Sequence, residues 1–461
     1  ALPGALPSVG PLAWADYDGD GNLDLFVGGR AVPARYPEPA SSLLFRGRAG
    51  RFELDATNSA ALASVGMVSG AVWSDLTGDG WPELALACDW GPIRVFLNER
   101  GELRDVTASW GLEGYRGWWN GIAAGDFDGD GRLDLVAANL GRNSRYEPYR
   151  HHQPIRLYHG DFHAGGGVAL IEAYFEPGRG DFVPWRSLES VAAGIPGLRE
   201  RFPTHRAFAR AGVSEILSQL AAPANVIEAR WSETSLLLNR GGRFDLEPLP
   251  FEAQLAPAFG VAVADLDGDG LEDVFLSQNL AAVHPEDSPM VSGTGLWLRG
   301  DGTGGFTAVS PARSGIRVQG EQRGCALSDF DRDGRVDVVV AQNGDPTRLF
   351  RNVAARPGLR IRLAGPPGNP TAIGAVIRLR SGIRWGPARE LHAGAGYWSQ
   401  DSAVPVLGMS GQPNVVWVRW PGGRVTESTL PEDACEVRID PDGRLRSEER
   451  RVGKECRSRW P

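Results

Sequence analysis

Short apolar runs of strand length alternate along the chain with glycine-rich polar segments, and the same order of runs recurs several times. For example, AVW at 71–73 precedes a polar nine-residue segment, and LALA at 84–87 follows it. Two such runs around a tight polar loop are typical of a β-hairpin. A third run that leads to a glycine turn follows several of these hairpins, as in RVFLNERGEL from Arg94 and LLLNRGGRFDL from Leu236. The repeated unit therefore has four strands.

The spacing of these units predicts an all-β chain built around a β-propeller. The polar nine-residue loops begin 59, 51, 139 and 64 residues apart along the chain. Four-stranded repeats of about 40–50 residues are typical of propeller blades. We therefore assign residues 1–353 to a propeller whose hairpin loops lie at the propeller edge.

The nine-residue loops carry acidic side chains at alternate positions, which suits a hard cation. Carboxylates at loop positions 1, 3, 5 and 9 and a backbone carbonyl at position 7 can converge on one ion, and glycine at position 6 permits the turn. Calcium accepts loose oxygen geometry, whereas magnesium requires a stricter octahedron. We expect about five calcium sites, with magnesium as the second choice, because clustered like charge needs a neutralising cation.

The predicted ligands are named here loop by loop. They are Asp16, Asp18, Asp20, Asn22 and Asp24 in loop 1; Asp75, Thr77, Asp79, Trp81 and Glu83 in loop 2; Asp126, Asp128, Asp130, Arg132 and Asp134 in loop 3; Asp265, Asp267, Asp269, Leu271 and Asp273 in loop 4; and Asp329, Asp331, Asp333, Arg335 and Asp337 in loop 5. The fourth residue of each set contributes its carbonyl. Loop 2 is the weakest, since Thr77 leaves it with three carboxylates.

The longest interval between loops contains a degenerate repeat and a change of pattern. After IRLY at 155–158, the segment DFHAGGGVA keeps Asp161, but His163, Gly165 and Ala169 replace the other acids, so we expect a decayed blade without calcium. Patches such as SLESVAA and GVSEILSQL then predict a helical insertion at about 180–224.

A different pattern begins near residue 354 and contains no further metal loop. Alternating runs such as AIGAVIRLR and NVVWVRW predict a small β domain at 354–440. The basic segment at 441–461, which includes RSEERRVGKECRSRWP, lacks strand alternation. We interpret this tail as non-native read-through sequence, with a disordered basic tail as the alternative.

The loops also explain the acidic charge of the chain. The net charge of −9 comes from 57 acidic and 48 basic residues, and the five loops hold 19 of those acids. The sequence has no basic stripe of the kind that indicates nucleic-acid binding. It also has no apolar run of 18 residues, so it predicts no membrane span. Because weak calcium loops suit millimolar extracellular calcium, we expect a secreted or cell-surface protein, or a periplasmic one. A start at Ala1 without Met is consistent with a removed signal peptide or upstream segment.

The motifs resemble two known families. The DxDGDGxxD hairpins with flanking LFxN and GxF strands resemble the FG-GAP/VCBS repeats of integrin-α-like propellers, which implies seven blades. The segments PTAIGAVIRL from Pro370, ARELHAGAGYWSQDS from Ala388 and VWVRWPGG from Val416 resemble the ASPIC/UnbV domain. The combination implies a calcium-binding protein of the cartilage-acidic-protein type. With five intact loops and one decayed loop, the seventh implied blade either lacks a loop or lies upstream of Ala1.

Some other residues have both a structural and a functional interpretation. Cys88 and Cys325 lie in apolar runs, where buried free thiols are expected. Trp118 and Trp119 suit either a sugar-stacking platform or the blade core, and we favour the core. Four histidines match no zinc spacing, so we expect a polar loop rather than a metal site: His151, His152, His159 and His163.

A polar and aromatic cluster in the C-terminal domain is the remaining candidate site. Glu390 and His392 lie two residues apart on one strand face, as either an acid–base pair or a structural hydrogen-bond network. The cluster consists of Glu390, His392, Tyr397, Trp398, Gln400 and Asp401.

Two functions follow from these observations. The first is a non-enzymatic adhesion or ligand-binding module for an extracellular protein or glycan, since no GxSxG or HExxH motif is present. The alternative is a carbohydrate-active or other hydrolytic enzyme with its site in the insertion or in the C-terminal domain.

Overall fold

Antiparallel sheets follow one another along the chain in a computed structural model that describes residues 8–162, 166–195, 197–218, 220 and 223–447. Blade 1 consists of β1 (Val9–Ala15), β2 (Asp24–Gly29), β3 (Leu43–Arg48) and β4 (Arg51–Leu54), and α1 (Ala56–Ala61) follows it. Blade 2 consists of β5 (Met67–Ser74), β6 (Glu83–Gly91), β7 (Ile93–Asn98) and β8 (Leu103–Asp105), with β9 (Gly117–Trp118) paired to β6. Both blades are thus four-stranded meanders.

Blade 3 is interrupted after its second strand. It begins with β10 (Ile122–Gly125) and β11 (Asp134–Ala137). The interruption contains β12 (Ile155–Gly160), β13 (Ala169–Glu176), β14 (Asp181–Pro184), α2 (Leu188–Gly194), α3 (Leu198–Arg201), α4 (His205–Arg210), α5 (Val213–Ser218) and β15 (Asn225–Ala229). The blade is completed by β16 (Ser235–Asn239) and β17 (Phe244–Pro248).

The inserted strands form their own sheet, in the order β14-β13-β12-β15. Blade 3 closes across the insertion because Leu135 on β11 pairs with Leu237 on β16. The segment that we predicted to be a decayed blade is therefore a sheet inserted within blade 3. The described residues of the long interval between loops form no additional blade of the series. Its degenerate loop lies partly outside the described residues, which include Asp161 but not His163 or Gly165.

Two further sheets complete the series. A 3-10 helix (Phe251–Gln254) leads into blade 4, which consists of β18 (Ala258–Ala264), β19 (Asp273–Gln278), β20 (Leu296–Gly300) and β21 (Phe306–Val309). After α6 (Pro311–Ser314), blade 5 consists of β22 (Glu321–Ser328), β23 (Asp337–Asn343) and β24 (Arg348–Phe350).

The first strands of these five sheets line the middle of the propeller. The strands β1, β5, β10, β18 and β22 contact one another in succession, and most of their residues are buried. This arrangement confirms the predicted β-propeller. The described residues form five blades, so the expected count of seven is not confirmed.

The C-terminal domain contains two β-sheets. Its strands are β25 (Leu359–Leu363), β26 (Val376–Ser381), β27 (Arg384–Trp385), β28 (Arg389–Glu390), β29 (Val406–Leu407), β30 (Val415–Arg419), β31 (Val425–Thr429), β32 (Glu436–Ile439) and β33 (Leu445–Ser447). One sheet has the order β29-β25-β32-β33 and the other β27-β26-β30-β31. Because β33 pairs with β32, the sheet extends beyond residue 440. The rest of the predicted tail, 448–461, lies outside the described residues.

A loop of this domain crosses the middle of the propeller and contacts the first strands. The Trp14 N–H donates to the Ala393 carbonyl at 2.8 Å, and the Gly396 N–H donates to the Ile122 carbonyl at 2.7 Å. Farther along the loop, the Asp401 carboxylate accepts the N–H of Leu327 on β22 at 2.7 Å. The domain is therefore fixed over one face of the propeller.

Several expectations about buried residues are confirmed. Trp119 is fully buried, and Trp118 is 8% exposed and stacks on Tyr146 with ring centroids 4.8 Å apart. Both tryptophans therefore belong to the packed interior. Cys88 and Cys325 are buried free thiols. Within the described ranges, no helix has the length and apolar character needed to cross a membrane.

Candidate metal centres

Each candidate metal loop joins the first and second strands of one blade, and all five loops have the same register. Position 1 follows the first strand directly, and position 9 begins the second strand. The position-6 glycine has a φ between +84° and +90° in every loop, a conformation that glycine adopts without steric cost. The equivalent flanking pairs are Ala15 with Asp24, Ser74 with Glu83, Gly125 with Asp134, Ala264 with Asp273, and Ser328 with Asp337.

The aspartate at position 1 uses its two carboxylate oxygens differently. Its Oδ2 atom accepts a hydrogen bond from the position-6 N–H in every loop, at 2.8–3.0 Å. The Oδ1 atoms of Asp16, Asp75 and Asp126 are buried without a hydrogen-bond partner among the described residues, as is that of Asp331 at position 3. A buried charged oxygen without a partner is costly, so these atoms fit a bound cation.

Four of the loops bring three carboxylates to within 4.8 Å of one another. Loops 1 and 3 use positions 1, 3 and 9, whereas loops 4 and 5 use positions 1, 3 and 5. Loop 2 forms no such group, since Thr77 replaces the acid at position 3. The grouped residues are Asp16, Asp18 and Asp24; Asp126, Asp128 and Asp134; Asp265, Asp267 and Asp269; and Asp329, Asp331 and Asp333.

The acid at position 9 also connects the loop to the third strand of its blade. In loop 1, Asp24 accepts the Tyr17 N–H at 3.0 Å and the Gly47 N–H at 2.8 Å. Equivalent pairs of bonds hold the position-9 aspartates of loops 3, 4 and 5. Spacing alone predicted a metal ligand here but not this structural role.

Burial makes several loop carboxylates costly to ionise. It is the main cause that raises the pKa of Asp24 and Asp134 to about 7 and the pKa of Asp273 to about 8. The same cause raises the pKa of Asp16 and Asp126, at position 1, to about 6. A nearby cation favours the charged form of a carboxylate, so a metal ion would offset this cost.

In four loops, an arginine in the third strand or directly after it faces the position-3 carboxylate. These arginines follow apolar runs such as LLFR and LWLR, a signal that was present in the sequence but not used. Their side chains are partly exposed, so each pair contributes little stability by itself. The pairs are Arg46 with Asp18 at 3.7 Å, Arg240 with Asp128 at 2.7 Å, Arg299 with Asp267 at 2.6 Å, and Arg351 with Asp331 at 2.6 Å.

The C-terminal domain lies directly on the metal loops, which the sequence did not predict. In loops 2, 3 and 5, a group from this domain binds the same Oδ2 atom that accepts the position-6 N–H. The pairs are Arg419 with Asp75 at 2.7 Å, the Ala388 N–H with Asp126 at 2.8 Å, and Arg360 with Asp329.

Backbone hydrogen bonds make similar contacts at the other two loops. The Leu23 N–H of loop 1 donates to the Gly368 carbonyl at 3.2 Å, and the Arg356 N–H donates to the Asp267 carbonyl of loop 4 at 3.1 Å. Contacts between the loops and residues 356–422 therefore occur in all five blades. Our expectation that the loops lie at the propeller edge is wrong, because they join the two innermost strands and lie under the C-terminal domain.

Glu390 and His392 are part of this contact. The Glu390 side chain is buried, and its Oε1 atom accepts the Asp75 N–H at 3.1 Å. Its Oε2 atom lies 2.9 Å from His392 Nε2. Both residues line a cavity of about 70 Å³ between the first strands and the crossing loop. Both carboxylate oxygens of Glu390 are thus engaged within the protein.

The rest of the predicted cluster lies along the crossing loop. Tyr397 and Trp398 stack with ring centroids 4.9 Å apart, and the Gln400 amide donates to the His392 carbonyl at 2.9 Å. Burial raises the pKa of Asp401 to about 6. These residues anchor the loop in the middle of the propeller.

The predicted histidine cluster does not assemble into a metal site. His151 and His152 are exposed, and His159 is buried on β12. None of the three joins a group of three metal-ligating side chains in the described part of the chain. His163 lies outside the described residues.

Comparison with protein families identifies two segments of the chain. The model of the FG-GAP-like repeat matches residues 75–137, which contain loops 2 and 3 and the strands between them. The model named ASPIC and UnbV matches residues 365–443 of the C-terminal domain. The chain thus contains one segment similar to the FG-GAP-like repeat and one similar to the ASPIC and UnbV family. The resemblance predicted from the sequence is confirmed.

Curated relatives with similar sequences are named cartilage acidic protein 1. The protein from Xenopus tropicalis is 24% identical over 318 residues, which cover 64% of this chain and 43% of the relative. The Homo sapiens protein is 23% identical over 332 residues, which cover 67% of this chain and 44% of the relative. The match thus spans less than half the length of these relatives.

A solved structure, that of rhamnogalacturonan lyase YesW, is 13% identical to this chain. The superposition covers 91% of this chain and 71% of the lyase, with a TM-score of 0.31. That score is too low to support a conclusion about fold or activity.

Proposed function

We propose that this chain is a secreted or cell-surface calcium-binding propeller that acts as a non-enzymatic adhesion or ligand-binding module for a protein or glycan. The observation that supports calcium binding is the set of buried Oδ1 atoms without hydrogen-bond partners, which belong to Asp16, Asp75 and Asp126. In each of these residues Oδ2 is already hydrogen-bonded and Oδ1 is not. Oxygen-only sites with several carboxylates suit calcium better than magnesium.

The position-1 aspartates give calcium a structural role. An ion on Oδ1 would be held by a carboxylate whose Oδ2 atom already binds the loop glycine and, in loops 2, 3 and 5, the C-terminal domain. Calcium would therefore stabilise the hairpin and the domain contact together. We infer about five calcium sites, with loop 2 the weakest, and magnesium as the less favoured ion.

An extracellular location is part of the same proposal. Loops in flexible modules outside cells bind calcium at about 10⁻⁴–10⁻³ M, a range that cytosolic calcium does not reach. Similarity to relatives named cartilage acidic protein 1 supports this location.

A hydrolytic enzyme is the second candidate, and the Glu390–His392 pair is the observation that favours it. The pair is 2.9 Å apart and lines a cavity together with Asp401. However, Glu390 also accepts the Asp75 N–H. A carboxylate engaged at both oxygens suits a structural network better than an acid–base catalyst.

A glycan-array screen with and without calcium, run beside glycosidase and esterase assays, separates the two candidates. We expect calcium-dependent binding without turnover. Turnover that Glu390→Gln abolishes would instead establish the hydrolase and overturn the binding-module proposal.

A further inference from the structure

A pocket of about 310 Å³ lies between loop 3 and one sheet of the C-terminal domain. Its volume lies at the lower end of the range for small-molecule sites, about 300–1,000 Å³. The lining residues come from loop 3 and from the sheet that contains β26, β27 and β30. They are Gly131, Val376, Arg378, Trp385, Trp417 and Arg419.

The strand register explains why this wall of the pocket is basic and aromatic. Along β26, Ile377 and Leu379 are buried in the domain core, so Arg378 between them lies on the opposite face. Cross-strand pairing places Trp417 opposite Arg378 and Arg419 opposite Val376. A single face of the sheet therefore presents arginine and tryptophan side chains to the pocket.

The two tryptophans form a corner rather than a parallel pair. The ring centroids of Trp385 and Trp417 are 6.3 Å apart, and the ring planes are at 87° to each other. Trp385 is 41% exposed, so a ligand can reach it. A flat base would stack best between parallel rings, whereas a bulky sugar ring can place one apolar face on one indole and its edge against the other.

The two arginines indicate that the ligand of this pocket is negatively charged. The Arg378 Nε atom donates to the Gly386 carbonyl at 3.0 Å, which fixes the side chain with its Cζ 5.1 Å from the centroid of the Trp385 ring. Among the described residues, no hydrogen bond or ion pair joins the Arg378 Nη atoms to an acceptor. A guanidinium group in this state can bind a carboxylate or sulfate through two parallel hydrogen bonds.

Calcium would strengthen this preference. Arg419 is paired with Asp75, and Arg378 lies near Asp126 and Asp130. A dication in loops 2 and 3 would offset the charge of these carboxylates, and the two guanidinium groups would then give the pocket a net positive potential.

We infer that this pocket binds a saccharide that carries a carboxylate or sulfate group. The inference rests on the proposed binding-module function and names the ligand class and the place where it binds. The tryptophan corner would contact the sugar ring, and Arg378 would pair with the acidic group.

Isothermal titration calorimetry on the calcium-loaded full chain tests the inference with three saccharides. The probes are an oligogalacturonate tetramer, a heparin tetrasaccharide and the neutral maltotetraose. We expect at least one anionic probe to bind with a Kd below about 1 mM and maltotetraose to bind at least about tenfold more weakly. Binding of the oligogalacturonate shows that a carboxylate is sufficient, whereas binding of heparin alone, which carries both groups, shows that a sulfate is needed.

Two variants test whether the saccharide binds in this pocket, and a third variant serves as the control. Arg378→Gln and Trp385→Ala should each raise the Kd by about tenfold or more. Arg384→Gln removes the same charge from an exposed neighbour outside the pocket and should change the Kd by less than about twofold. The melting temperature of each variant is measured with the titration.

Several results would overturn the inference. They are no binding of either anionic probe, equal binding of maltotetraose, unchanged affinity in both pocket variants, or tighter binding of a hexaglutamate peptide than of any saccharide. The comparison of probes uses the unmodified chain, so its result tests the inference even if a variant fails to fold. If calcium leaves the melting temperature unchanged while the anionic saccharide still binds, the proposal of calcium binding is wrong. The inference that the pocket binds an anionic saccharide is then still supported.

Discussion

Arg419 Nη2 lies 2.7 Å from Asp75 Oδ2, and the two side chains are only 17% and 4% exposed. This ion pair joins the last residue of β30 in the C-terminal domain to the first position of loop 2. The backbone N–H of Asp75 also donates to Glu390 of the same domain. One aspartate of a metal loop therefore connects a blade hairpin to a separate domain.

Loss of this ion pair should destabilise the protein. We predict that Arg419→Gln lowers the free energy of unfolding by about 3 kcal/mol, because the Asp75 carboxylate stays buried without its charged partner. Urea denaturation measures the change. As a control, Arg424→Gln breaks the pair with Asp442, whose side chains are 59% and 61% exposed, and should cost less than about 1 kcal/mol. Equal losses in the two variants would contradict the buried role of Arg419.

Alanine at Gly131 in loop 3 should destabilise the protein more than alanine at Gly111, which lies in an open turn. Gly131 has a φ of +89°, and a Cβ at this position would meet the Arg378 guanidinium. Gly111 has a φ of +83°, but a Cβ there has no neighbour within 4 Å. Both alanine variants should lose about 1–2 kcal/mol from backbone strain. Gly131→Ala should lose about 1 kcal/mol more, because Arg378 must move and give up its hydrogen bond to the Gly386 carbonyl.

Urea denaturation in the presence of a calcium chelator measures this difference without a contribution from ion binding. If Gly131→Ala and Gly111→Ala lose the same stability, Arg378 does not pack on loop 3 as the structure shows.

Asp401 should make the stability of the calcium-loaded protein depend on pH. Burial raises its pKa to about 6, against an ordinary 3.8, although Arg389 and His392 oppose the shift. The folded protein then holds the Asp401 proton more tightly than the unfolded chain does. Its stabilising contribution is complete below about pH 4 and is lost as the pH rises through about 6.

The variant Asp401→Asn removes this contribution and keeps the oxygen that accepts the Leu327 N–H. Between pH 5 and 7.5, it should lose about 1 kcal/mol less stability than the unmodified protein. Chemical denaturation at both pH values, with saturating calcium, provides the comparison. Identical pH dependence in the two proteins would show that Asp401 titrates normally.

The hairpins and their acidic loops were predictable because all the necessary signals are local. The alternation of apolar residues, the glycine at position 6 and the acids at fixed spacing lie within about 20 residues of one another. The replacement of an acid by Thr77 at position 3 of loop 2 is visible in the sequence, and this loop forms no group of three close carboxylates.

The position of the C-terminal domain was not predictable because it depends on contacts between distant residues. The hydrogen bond from Asp75 to Glu390 joins positions 315 residues apart, and no local pattern in either segment indicates the other. Similarly, no repeating sequence pattern indicates that Leu135 pairs with Leu237 across the insertion in blade 3. The sequence therefore predicts a decayed blade where the structure has an inserted sheet.

A single carboxylate should control each calcium site. We predict that Asp126→Asn reduces the number of bound calcium ions by one, because it removes the charge from the unpartnered Oδ1 side of loop 3. Asp442→Asn removes an equal charge from an exposed turn of the C-terminal domain and should leave the number unchanged. Calcium titration calorimetry gives both counts. The same count in both variants would mean that loop 3 does not hold an ion.

Thermal unfolding of the full chain with and without calcium tests the central claim most directly. Calcium at about 5 mM is about 5–50 times the Kd of such loops, so each occupied site stabilises the fold by about 1–2 kcal/mol. We predict that about 5 mM calcium raises the melting temperature by about 10 °C or more relative to chelated protein, and that the same concentration of magnesium has a smaller effect. A melting temperature that is the same in calcium and in chelator would contradict the assignment of these loops as calcium sites.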